Sequence, residues 1–96
     1  MSYSDEYHPR VKSDLKKLDR TVVKDIHSFH LDRILGEPRR GEELHGDLQG
    51  VLAYHFKKNN VEYRVAYYIE ETKKIVNILM IGKRENFYEI LKRRLP

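Results

Sequence analysis

Apolar residues recur along this chain with two different spacings, and the change from one to the other divides it. Before residue 36 they return every three or four positions. Val11, Leu15 and Leu18 stand at i, i+4 and i+7, the stripe of a first helix, with Pro9 suited to its opening turn. Asp19-Arg20-Thr21 interrupts the pattern and offers caps for a second helix. Val22, Ile26 and Phe29 continue the helical spacing, and Ile34 and Leu35 extend it. Gly36-Glu37-Pro38 then ends it with a glycine and a proline in the usual places. The two helices are expected to form an antiparallel hairpin. Ahead of them, residues 2–7 alternate weakly, as a short edge strand would.

After residue 50 the spacing changes to alternation. In VLAYHF (51–56), Leu52, Tyr54 and Phe56 share one face, and Val51, Ala53 and His55 the other. A turn at Lys57–Asn60 leads to VEYRVAYYI (61–69). There Val61, Tyr63, Val65, Tyr67 and Ile69 face one way, and Glu62, Arg64, Ala66 and Tyr68 the other. A second turn at Glu70–Lys73 leads to KIVNILMIG (74–82). This strand is apolar on both faces except at Asn77, as expected of a central strand covered on both sides. Residues 86–95 read as a short helix with Phe87, Ile90 and Leu91 against the body. Between the two halves, residues 36–50 form a loop anchored by Leu44 and Leu48. The expected fold is α+β: an N-terminal strand, a helical hairpin, a three-stranded antiparallel meander and a short C-terminal helix, in one domain spanning 1–96.

Composition narrows the class. Apolar residues make up 40% and charged residues 35%, enough for one modest core inside a very polar surface. The chain has no cysteine, which excludes disulfides and thiolate chemistry and fits a reducing compartment. The opening MSYSDEYHPR lacks the apolar run of a signal peptide, and no 18-residue apolar stretch could span a membrane, so a cytoplasmic protein is expected. The net charge of +4 is unevenly placed: residues 1–50 carry nine Lys/Arg against ten Asp/Glu, and residues 51–96 ten against five. A basic half rich in aromatics points to an anionic partner.

The candidate chemistry lies on the polar faces of the C-terminal strands. His55 and Arg64 project from neighbouring strands, Arg84 follows the end of the third, and Tyr88 comes four residues later. Adjacent strands lie about 5 Å apart, so these groups can converge, with Lys57, Lys58 and Lys83 around them. Such a cluster suits RNA cleavage by internal 2′-hydroxyl attack. Arginines hold the phosphate and stabilise the charge that grows in the transition state. His55, by the ordinary pKa of its type, serves as base or acid, and so does Tyr88 if surrounding cations lower its pKa. Plainer readings stand beside this one. Arg64 pairs with Glu62, Glu70 or Glu71, His55 fills a strand face, and Tyr88 anchors the last helix. Glu42-Glu43 and Glu70-Glu71 read as solvated loops. His27 and His30 have no third ligand nearby in sequence, so no metal and no cofactor is expected.

These segments together resemble the RelE/ParE superfamily of toxins from type II toxin–antitoxin pairs. The likeness covers HPRVKSDLKKLD, RILGEP, LHGDLQGVLAYHF, EYRVAYYI and ILMIGKRENFYEIL, and its more specific pieces are YRV-x-Y and IGKRE-x-x-Y. It implies a ribosome-dependent endoribonuclease (an mRNA interferase) that cuts messenger RNA in the A site without a metal. Arg64, Arg84 and Tyr88 match the arginines and tyrosine of the family's cluster. Where RelE-like members carry lysines along the VLAYHF strand, this chain has Ala53 and His55, and His55 takes a proton-transfer role on this reading. Lys57, Lys58 and Lys83 would contact RNA and ribosome. The implied partners are a cognate antitoxin, messenger RNA and the ribosome, with operator DNA bound only through the antitoxin complex. ParE-like members share the fold but poison DNA gyrase and lack the nuclease cluster. A toxin with weakened chemistry that acts only as an antitoxin-binding module is a third reading.

Overall fold

The computed structural model describes residues 3–83 and 85–95; Ser2 and Arg84, on which expectations above fall, lie outside the described residues. The strands are β1 (Ser4–Tyr7), β2 (Glu42–Glu43), β3 (Leu52–Lys58), β4 (Val61–Glu70) and β5 (Ile75–Lys83). The helices are α1 (Val11–Lys16), α2 (Arg20–Asp25), α3 (Leu31–Gly36) and α4 (Phe87–Arg94). The sheet order is β1-β5-β4-β3-β2. β3, β4 and β5 form the expected antiparallel meander, and β1 adds parallel to β5 at one edge.

β5 is an interior strand, between β1 and β4, and both its faces are apolar. Val76, Ile78 and Ile81 join the core under the helices, with Val22, Ile26, Leu31, Ile34, Val65 and Tyr67. Leu79 and Met80 turn to the opposite face, where Phe87 and Leu91 of α4 meet Leu48, Val51 and Ala66. A register shift between Ala66 and Tyr67 changes which residues of β5 face each side: Ala66 pairs with Met80, but Tyr67 pairs with Ile78. The sheet is therefore sandwiched between α1–α3 on one face and α4 on the other.

Three departures from the sequence pattern have local causes. The helix at residues 20–36 contains a π-helical turn, Ile26–His30, between α2 and α3. The widened turn advances the apolar stripe, so His30 and Leu31 face the sheet and Phe29 is left half exposed, contrary to its expected place in the stripe. In α4, Phe87 and Leu91 are buried as expected, but Ile90 is exposed. The loop at 36–50 is also more regular than expected. It forms β2, which pairs Glu42 with Ala53 and Glu43 with Leu52. The β3–β4 turn is tighter than the expected Lys57–Asn60: β3 runs on to Lys58, and Asn59 and Asn60 both take positive φ, at 53° and 66°, as a two-residue hairpin demands.

Candidate functional site

Strand register builds the cluster. His55 lies directly opposite Arg64, and Arg64 lies opposite Gly82. These residues share the face that α4 covers, and Phe87 packs over Gly82 to set the start of that helix. The next residue, Tyr88, is thereby carried over Arg64, whose guanidinium carbon lies 4.9 Å from the ring centroid. Arg64 Nε donates to His55 Nδ1 at 3.2 Å, and His55 Nε2 lies 2.8 Å from Glu42 Oε1. Because Nδ1 accepts from an arginine, the proton of a neutral imidazole sits on Nε2 and is donated to Glu42. Glu62 closes the group: its Oε2 lies 3.3 Å from His55 Nδ1 and 3.5 Å from Arg64 Nη2.

The expected residues divide accordingly. His55, Arg64 and Tyr88 come together, and Lys57 stands exposed on the same face, in register with Glu62. Lys58 does not join them. The strand's alternation turns it to the helical face, where its Nζ lies 2.5 Å from Asp25 Oδ2. Lys83 pairs with Tyr63, whose ring lies in the helix-side core, so Lys83 leaves the end of β5 away from the cluster. Arg84 lies outside the described residues.

Two carboxylates enter that the cationic reading underweighted. Glu62 was legible, since alternation sets it on the face of Arg64 and pairing between them was one plain reading. Glu42 was not, because a two-residue strand has no period to detect. Together they balance Arg64, and they also act on Tyr88. The Tyr88 phenol is held above the ordinary tyrosine range, first by burial; Arg64 pulls it down, while Glu42 and Glu62 push it up. The expected lowering by surrounding cations is thus reversed, and Tyr88 is a protonated group at neutral pH.

A buried ion pair holds the far end of α4. Arg94 Nη1 donates to Asp14 Oδ2 at 2.7 Å and to the Leu79 carbonyl at 2.9 Å, while Arg94 Nη2 reaches Asp14 Oδ1 at 2.5 Å. Asp14 Oδ2 also accepts the Ile81 amide at 3.0 Å. The pair therefore ties α4 to α1 and β5 in one place. His30 bonds Tyr54 at 2.7 Å and stacks on Phe56, packed between the helices and β3.

Comparison with known proteins follows the same lines. A family model for the ParE-like toxin of type II bacterial toxin-antitoxin systems matches residues 6–92. No curated protein matches the sequence. Among solved structures, a chain of the toxin-antitoxin complex RelBE2 from Mycobacterium tuberculosis is 25% identical. It covers 88% of this chain and 100% of its own, with a TM-score of 0.78. A double arginine-to-alanine mutant of the Escherichia coli toxin RelE in the free state matches at 23% identity over the whole of both chains, with a TM-score of 0.77. A chain of the intact E. coli RelBE toxin-antitoxin complex, 24% identical, covers 88% of this chain and 99% of its own, with a TM-score of 0.72.

Proposed function

This chain belongs to the ParE-like toxins of type II bacterial toxin-antitoxin systems, and from that premise we propose that it is a ribosome-dependent endoribonuclease that cleaves messenger RNA. The observation that carries the proposal is the contact chain His55–Arg64–Tyr88 across β3, β4 and α4. It sets a proton acceptor, a phosphate-binding cation and a proton donor within one side-chain length of each other. The similarity to RelE structures supports the fold on which this arrangement rests.

The chemistry is written on these groups. A bridging phosphate docks on Arg64, exchanging with its contacts to Glu62 and to His55 Nδ1, which frees that nitrogen. Arg84, by its match to the family's arginine, supplies a second cation. The ribose 2′-oxygen attacks phosphorus while its proton passes to His55 Nδ1. The bond from phosphorus to the 5′-oxygen breaks, and that oxygen takes the proton of Tyr88. The products are a 2′,3′-cyclic phosphate and a 5′-hydroxyl end. Tyr88 is given the acid role because its raised pKa keeps it protonated at neutral pH. Arg64 acts electrostatically, meeting charge that grows in the transition state.

Neutralisation by a small antitoxin belongs to the same proposal. Two of the similar chains come from toxin–antitoxin complexes. On the α1–α2 side an apolar cleft of about 530 Å³ is floored by Leu15, Leu18 and Val23 and rimmed by Lys12, Lys16, Arg20 and Lys24. An acidic amphipathic segment would suit it.

The test is a defined translating system with purified protein, mapping new 5′ ends on the message beside a ribosome-free control. Cuts phased to the A-site codon and lost in Arg64→Ala are expected. Cuts on naked RNA would remove the ribosome requirement. An intact message accompanied by gyrase-dependent DNA damage would replace this reading with the gyrase poison.

A further inference from the structure

We infer that Glu42 is the positioning residue for His55, so that the two form a carboxylate–imidazole pair in which Glu42 holds Nε2–H and leaves Nδ1 to take the proton. This rests on the nuclease reading above and names a residue outside the cationic set.

The argument begins with β2. Two residues of strand contribute little to a sheet, yet this pairing is specific: Glu42 opposes Ala53, and Glu43 opposes Leu52. Pairing with Ala53 sets Glu42 on the same face as His55, two residues along β3. The carboxylate then reaches diagonally to Nε2 at 2.8 Å. Ala53 is small and buried, so nothing stands between the two side chains. On the other side of the ring, Nδ1 faces Arg64 Nε at 3.2 Å and Glu62 Oε2 at 3.3 Å. The two nitrogens therefore have separate tasks: one is fixed by a carboxylate, and the other points at the cation that would hold the phosphate. A base oriented by a third group, with its working nitrogen turned to the reacting centre, is the general logic of an activated proton acceptor.

Charged and polar groups reach His55 from several elements. Glu42 comes from β2, Glu62 and Arg64 from β4, Lys57 from β3 itself and Tyr88 from α4. Glu42 and Glu62 favour the imidazolium formed when the proton arrives, while Arg64 and Lys57 oppose it. Glu42 makes the shorter contact of the two carboxylates, so its removal should shift this balance most.

The experiment measures cleavage in the translating system across pH for wild type, Glu42→Gln, Glu42→Asp and, as a same-strand charge control, Glu43→Gln. Glu42→Gln should lower the rate roughly tenfold, a modest fraction of what general acid–base catalysis supplies because the carboxylate is half exposed. Glu42→Asp should recover part of the rate, and Glu43→Gln should match wild type. Circular dichroism confirms that each variant is folded. A wild type that cleaves, with a Glu42→Gln variant of unchanged rate, overturns the pair. An equal loss in Glu43→Gln also overturns it, by showing a general effect of charge on this strand. A wild type that makes no cut refutes the nuclease reading itself, a different outcome from either.

Discussion

Tyr88 is the residue whose environment most changes its chemistry. Burial and the two carboxylates hold its phenol above the ordinary range in spite of Arg64. Cleavage should therefore show no loss from tyrosine ionisation as pH rises through neutrality. Tyr88→Phe, which keeps the ring over Arg64 but removes the proton, should lower the single-turnover rate by about two orders of magnitude while barely changing ribosome binding. A variant that cleaves at the wild-type rate would remove the acid role. His30 makes a second residue-scale prediction. Its pKa is lowered, chiefly by burial against the sheet edge. A lowered folded value means that the contribution to stability is fully present above the unfolded value, near 6.5, and is lost as pH falls through the folded one. Urea denaturation at a series of pH values should show this loss in wild type and not in His30→Phe.

At the scale of elements, α4 decides whether the cluster is complete, because it alone carries Tyr88 to Arg64. Its two ends are held differently: Phe87 and Leu91 by apolar burial, Arg94 by the buried pair with Asp14. Removing one partner leaves a buried charge uncompensated. Asp14→Asn or Arg94→Met should each destabilise the fold by about 3 kcal/mol. The double variant Asp14→Leu, Arg94→Met should cost less than the sum of the single changes, since it removes both charges together. Thermal or urea unfolding of the three variants gives the cycle. Hydrogen exchange at the Ile81 amide, which donates to Asp14, reports the same pair locally and should accelerate in the single variants.

For the whole molecule, the distribution of charge matters more than its sum. The sequence pattern implied a basic sheet face, and the structure leaves a smaller one. Lys58 is spent on Asp25 and Lys83 turns away, so among the described lysines of the strands Lys57 alone stands beside the cluster. Lys57→Ala should weaken RNA binding and lower the slope of log affinity against log salt by about 0.7, the value for one lost contact to a single strand. Lys58→Ala should leave that slope unchanged and reduce stability instead. Among the described residues no helix is long and apolar enough to cross a membrane.

The sequence alone determined a good deal, and for an identifiable reason. Alternation over six to nine residues assigns faces without knowledge of partners, so the meander, the covering of β5 on both faces and the shared face of Glu62, Arg64 and His55 were legible. The place of the β3–β4 turn was legible too, though the hairpin itself drew Lys57 and Lys58 into β3. Three other features depended on tertiary structure. The π-turn at Ile26–His30 arises where the helix seats on the sheet, and it moved Phe29 out of the expected stripe. β2 exists only because Ala53 and Leu52 offer an edge to Glu42 and Glu43, so the contact between Glu42 and His55 had no local signal. The ionisation of Tyr88 was decided by burial where α4 meets the sheet and by carboxylates from β2 and β4, groups separated from it by 46 and 26 positions in the chain. Periodicity reports the direction a side chain leaves its own backbone; only the folded chain brings distant charges within a few ångströms, where they change what that side chain can do.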